Sequence, residues 1–166
     1  GLLQVYGVGI LITGDSGIGK SECALELVSR GHFFVSDDVV LVAKEDNHRL
    51  VGGAPSVLQN YMEIRGLGVI NIKEIFGSDF IYPKVEINLV INLRKWKQGE
   101  EFDRLGLKFT EDCEIYGQRI PKLIIPVAPG RNMATLIEVA AKVHLLKEKG
   151  YHAPQELIKK LNKTFN

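Results

Sequence analysis

Gly14-Asp15-Ser16-Gly17-Ile18-Gly19-Lys20-Ser21 is the stretch on which the reading of this chain turns. It fits the pattern G-x-x-x-x-G-K-[ST] in full, and its surroundings fit as well. The apolar run Val8–Thr13 before it reads as a buried strand. Residues 21–30 after it, with Glu22, Ala24, Leu25, Glu26 and Leu27, read as a helix stopped by Gly31. Glycines allow successive backbone N–H groups to curl around phosphate oxygens, and the helix N-terminus adds positive partial charge. Lys20 is placed to reach the β- and γ-phosphates of ATP, and the Ser21 hydroxyl to complete the oxygen shell of Mg²⁺. Residues Gly14, Asp15, Ser16, Gly17, Ile18, Gly19, Lys20 and Ser21 are therefore expected to cradle nucleotide phosphates.

Upstream, residues 2–13 divide at Gly7 into two short strands around a turn. The opening Gly1–Gly7 has no basic region and no cleavage site, so it reads as a strand rather than a signal peptide. Downstream, Phe33-Phe34-Val35 reads as a short strand ending at Ser36-Asp37-Asp38. Val39–Ala43 and Arg49–Val51 suggest a hairpin around Glu45–His48. Pro55 suits the first turn of a helix running to about Met62, after which Glu63–Gly68 reads as a shaped loop. A short helix is expected near Ile72–Phe76, a strand over Val85–Leu93, and an irregular, mobile segment over 99–119. Ile120–Val127, with two prolines, reads as an edge strand. A mostly apolar, buried helix follows from about Met133 to Lys149, and an amphipathic one starts at Pro154.

The composition limits the possibilities further. A chain of 166 residues that is 45% hydrophobic can bury one sizeable core, not two. The formal net charge of +1 gives no overall field for nucleic acid or anionic membrane. No apolar run approaches the ~20 residues of a membrane helix. The two cysteines, Cys23 and Cys113, are too few and too far apart for a disulfide framework or a zinc site, which fits a reducing cytoplasm. Cys23 reads as a small buried hydrophobe, and His32 as a packing or hydrogen-bonding histidine.

Asp37-Asp38 arrives one helix and one strand after the loop, so parallel packing would bring it back beside the phosphates. Neighbouring side chains on a regular strand point to opposite faces, so both acids can serve one site only if the strand ends there. One carboxylate could then orient Mg²⁺ while the other takes the proton from an incoming hydroxyl.

With the loop, the acidic pair and Met62-Glu63-Ile64-Arg65-Gly66-Leu67-Gly68-Val69 in place, the chain resembles the HPr kinase/phosphorylase family along essentially all its length. Phe102-Asp103-Arg104-Leu105-Gly106 and Pro129-Gly130-Arg131-Asn132 match further family segments. The resemblance implies phosphorylation of a serine of the phosphocarrier protein HPr with ATP or pyrophosphate, and reversal by phosphorolysis. It implies Asp38 as base in one direction and acid in the other with Asp37 beside it, Glu63 as a second metal-site carboxylate with Ser21, and Arg65 near the phosphates. Arg104 would serve the dephosphorylating direction, where a guanidinium can grip phosphate. The family's usual histidine falls upstream of Gly1, and longer members carry an N-terminal domain beyond these residues.

The fold expected is α/β, a phosphate-binding-loop domain with a mixed, curled sheet and flanking helices, similar to phosphoenolpyruvate carboxykinase. The family is typically a homohexamer with its C-terminal helix near the protein substrate. A small-molecule kinase and a nucleotide-sensing module without catalysis are the rival readings. No acceptor-pocket motif supports the first, and Asp37, Asp38, Glu63 and Arg104 argue against the second.

Overall fold

A computed structural model describes residues 1–96 and 111–165. In chain order the strands and helices are β1 (Leu2–Val5), β2 (Val8–Gly14), α1 (Lys20–Ser29), β3 (Phe33–Ser36), β4 (Leu41–Lys44), β5 (Leu50–Gly53), β6 (Tyr61–Ile64) and β7 (Gly68–Asn71). They continue with α2 (Ile72–Phe76), β8 (Lys84–Glu86), β9 (Leu89–Lys95), β10 (Glu111–Ile115), β11 (Gln118–Val127), α3 (Met133–Glu148) and α4 (Ala153–Phe165).

The main sheet has the order β10-β11-β9-β2-β1-β3 and is mixed. β2 runs parallel to β9 and β9 to β11, whereas β1 lies antiparallel to β2 and to β3. Two reversals leave β3 pointing the same way as β2, so both strands deliver their C-terminal ends to the same edge of the sheet. The expected α/β class with a mixed sheet is what the chain adopts. One core packs α1 and α3 on the sheet through Ile10, Ile12, Leu27, Val28, Ile91, Ile137 and Ala141. A second, smaller cluster under the small sheet β4-β5-β8 joins Leu2, Val35, Leu50, Val85 and Ile87.

Several expectations need correction. No α-helix forms after Pro55: a 3-10 turn spans Ser56–Leu58, and Tyr61–Ile64 is extended. Buried Met62 and Ile64 alternate with exposed Tyr61 and Glu63, the two-residue period of a strand, and Asn60 at φ 72 breaks any helical path. The Glu63–Gly68 stretch is the tip of a β6–β7 hairpin rather than a loop without regular structure. The expected strand over Val85–Leu93 is two strands in different sheets, divided where the Asn88 carboxamide accepts from the Gly9 N–H.

Residues 111–119 are not irregular but form β10 and the start of β11, joined at Tyr116-Gly117, while 97–110 lie outside the described residues. β11 is an interior strand. Its prolines sit where one neighbour is missing: Pro121 precedes the first pairing with β9, and Pro126 lies past the end of β10. α3 is mostly apolar, yet only Ala134, Ile137 and Ala141 are buried. Leu136, Val139 and Val143 instead line a cavity of about 1250 Å³ with β11. α4 is amphipathic as expected, and it buries no residue.

Candidate functional site

The glycine-rich loop leaves β2 at Gly14, which lies hard against its neighbour: a Cβ there would come within 2.6 Å of the Leu93 carbonyl oxygen. Only glycine fits that approach. The loop closes at Gly19, the N-cap of α1, in the left-handed region at φ 106, which a side chain would strain. Just past Gly19, Lys20 curls back, its Nζ donating to the carbonyls of Gly14 (2.7 Å) and Asp15 (3.0 Å). The ammonium is thus held against the loop by two neutral carbonyls, with which anionic phosphate oxygens would compete.

β3 ends at Ser36, as the two-acid argument requires. The buried Ser36 hydroxyl donates to the Val39 carbonyl and turns the chain, leaving Asp37 and Asp38 on the bend. The acids then part company. Asp37 accepts the Ser21 hydroxyl on Oδ1 (2.8 Å) and the Glu63 backbone N–H on Oδ2 (3.1 Å). Asp38 is exposed, and no described residue pairs with its carboxylate. One acid therefore braces the site while the other remains available to solvent.

The β6–β7 hairpin brings the third component. Glu63 lies on its exposed face and is linked to the loop through Asp37. Arg65, at the hairpin tip, reaches the loop itself: its Nη2 would lie 3.7 Å from a Cβ on Gly17. Among the described residues Glu63 and Arg65 do not pair with each other, so each keeps its charge for another partner. The loop, Asp37, Glu63 and Arg65 are thus brought together, with Asp38 next to Asp37 on the bend, while Arg104 lies outside the described residues. Among the described residues no cluster of three or more His, Cys, Asp or Glu side chains could hold a metal by itself. A hydroxyl with one or two carboxylates suits an ion such as Mg²⁺, which takes the rest of its shell from water and substrate phosphate.

His32 stands apart from this site. Buried beyond the C-terminal end of α1, its Nε2 meets Glu138 Oε2 at 2.8 Å and its ring stands edge-on to Tyr6 at 4.9 Å between centroids. Arg30 also binds Glu138, and the His32 and Arg30 bonds hold the Glu138 carboxyl below the usual carboxylate range. This network ties α3 to the core. Burial, with the Glu26 charge adding to it, pushes the Cys23 thiol up to about 12, as befits an inert core residue. The Asp37 tether to the Glu63 amide carried no sequence signal, because one partner is a backbone group.

These features define an α/β domain in which a strand, glycine loop and helix meet an acidic bend and a charged hairpin. The chain belongs to the HPr Serine kinase C-terminal domain family, whose model matches residues 1–161. It is 54% identical over 163 residues to an HPr kinase/phosphorylase of Geobacter sulfurreducens, covering 96% of this chain and 50% of that protein. It is 50% identical over 160 residues to an HPr kinase/phosphorylase of Bacillus subtilis (strain 168), covering 96% and 51%. The solved HPr(Ser) kinase/phosphatase from Coxiella burnetii superposes with a TM-score of 0.84 at 37% identity, covering 94% of each chain. The chain spans about half the length of the curated relatives it matches.

Proposed function

We propose that this chain is a catalytic domain that transfers phosphoryl from ATP or pyrophosphate to a serine of the phosphocarrier HPr, and returns it to phosphate by phosphorolysis. The observation that carries the reading is the hydrogen-bonded path Ser21–Asp37–Glu63, which draws the glycine loop, the acidic bend and the hairpin to one point. On this reading the loop is a phosphate-binding loop in a domain of the phosphoenolpyruvate carboxykinase kind. The protein works in the bacterial cytoplasm, as a homohexamer.

Each residue has a task that its surroundings support. Backbone N–H groups of the loop hold the donor's phosphates, and Lys20 leaves the Gly14 and Asp15 carbonyls to pair with them. Arg65, poised beside Gly17, adds a second positive charge against the phosphates. Mg²⁺ would be held by Ser21 and Glu63, with Asp37 orienting the Ser21 hydroxyl, and would neutralise charge on the transferred group. Asp38, without a hydrogen-bond or ion-pair partner among the described residues, takes the proton from the acceptor serine as its oxygen attacks the phosphorus. In phosphorolysis, phosphate attacks phosphoserine and Asp38 returns a proton to the departing serine oxygen, giving free serine and pyrophosphate. Arg104 is assigned to that second direction.

The test is mass spectrometry of HPr incubated with the chain, Mg²⁺ and ATP, beside an Asp38→Asn variant and an HPr lacking the acceptor serine. Phosphoserine formed only by the unmodified pair supports the reading. ATP binding without transfer by the unmodified chain refutes it.

A further inference from the structure

Two polar side chains interrupt the strands that flank the entry to the loop. β2 and β9 pair in parallel with Thr13 level with Asn92 and Gly14 level with Leu93. On both strands the apolar sequence gives way at the same level, at Thr13 after Ile10-Leu11-Ile12 and at Asn92 after Leu89-Val90-Ile91. The two side chains are half-buried and satisfy each other, the Asn92 Nδ2 donating to Thr13 Oγ1 at 2.9 Å. A half-buried polar pair in the interior of a sheet is costly unless it is bonded, and an apolar pair would pack there without that constraint. The bond must therefore earn its place through what it holds.

What it holds is the root of the phosphate-binding loop. Thr13 is the last residue before Gly14, whose backbone is pressed on the Leu93 carbonyl from the same strand that carries Asn92. The Gly14 carbonyl is also the shorter of the two partners of Lys20. Any slip of β2 along β9 would displace the carbonyl that parks the ammonium and the first N–H groups of the cradle together. We infer that Asn92 is a positioning residue for phosphate binding, fixing the loop's entry through its bond to Thr13. This rests on the phosphate-binding reading of the loop.

The experiment is calorimetric titration of Mg-ATP into the chain and into Asn92→Leu, Thr13→Val, the double variant, Thr13→Ser and Lys20→Ala, with thermal melts and steady-state kinetics alongside. Asn92→Leu and Thr13→Val should each weaken binding about five- to tenfold, the worth of one part-buried hydrogen bond. The double variant should be no weaker than either single one, and Thr13→Ser, which keeps the acceptor, should bind like the unmodified chain. KM for ATP should rise with kcat little changed, a split that general destabilisation does not produce. Unaltered affinity in Asn92→Leu and Thr13→Val, with binding lost in Lys20→Ala, overturns the role of Asn92 and leaves the loop reading standing. Additive losses in the double variant, or a Thr13→Ser variant as weak as Thr13→Val, also overturn it. Full affinity in Lys20→Ala overturns the loop reading itself.

Discussion

Replacing Asp37 by alanine should loosen the β6–β7 hairpin from the glycine-rich loop while leaving both elements folded. Two hydrogen bonds are lost, one from the Ser21 hydroxyl and one from the Glu63 amide. Bonds to a charged acceptor contribute about 1.5–3 kcal/mol when sheltered. The Glu63 amide is exposed, so water recovers part of that, leaving about 1–1.5 kcal/mol for the hairpin tether. A change of that size corresponds to about a tenfold shift in an opening equilibrium.

Amide hydrogen exchange read at the single residue Glu63 measures this directly. In Asp37→Ala the Glu63 amide should exchange about tenfold faster than in the unmodified chain. Amides buried in β2 and β9 should be unchanged, because their ladder does not involve Asp37. Asp37→Asn keeps one acceptor oxygen and should fall between the two. Phosphoryl transfer should drop in the same order, since Glu63 and Arg65 ride on the hairpin. Unaltered exchange at Glu63 in Asp37→Ala would refute the tether, and faster exchange throughout β2 would show that Asp37 supports the fold instead.

Glu138→Gln should lower thermal stability at neutral pH, with the difference from the unmodified chain shrinking in acid. The Glu138 carboxyl is held below its ordinary range by His32 and Arg30, so its contribution is complete above the unfolded carboxylate pKa and is lost as pH falls through the depressed folded value. Melting curves of both chains from neutral pH into acid measure this, and a gap that widens on acidification contradicts it. Cys23, buried and with its thiol pushed up to about 12, should resist alkylation in the native chain while half-buried Cys113 reacts first, as peptide mapping after a timed pulse of iodoacetamide would show.

The sequence is most legible where local rules and tertiary packing agree. The strand, loop and helix around Gly14–Ser21 could be read because apolar period, glycine placement and helix stop all coincide there. The β1–β2 turn and the break of β3 before Asp37 could be read for similar reasons. The segment after Pro55 misleads because Pro at a helix start is a local signal, whereas the alternation of Tyr61, Met62, Glu63 and Ile64 acquires meaning only when Met62 and Ile64 find the core under α1. β11 looked like an edge because of its prolines. Its two neighbours, however, pair with it over different stretches, and staggered pairing of this kind is a property of the whole sheet.

The sequence could name candidate site residues, but not the hydrogen bonds that link those among the described residues. Sequence supplied Asp37 and Asp38 as a pair with two tasks and no way to assign them by geometry, since both lie at the end of one strand. On the proposed reading the assignment rests on what each acid binds: a hydroxyl from α1 and an N–H from β6 occupy both oxygens of Asp37, and no described residue hydrogen-bonds to or ion-pairs with Asp38. An acceptor hydroxyl can reach the solvent-facing Asp38 by displacing water, whereas Asp37 is already engaged with Ser21 and the hairpin. On the proposed reading Asp38 is therefore the proton acceptor, and Asp37 holds Ser21 and the hairpin in register. By that argument Asp38→Asn should abolish transfer with the Glu63 amide still protected, and Asp37→Asn should weaken transfer and protection together. Opposite outcomes for the two variants would exchange their roles.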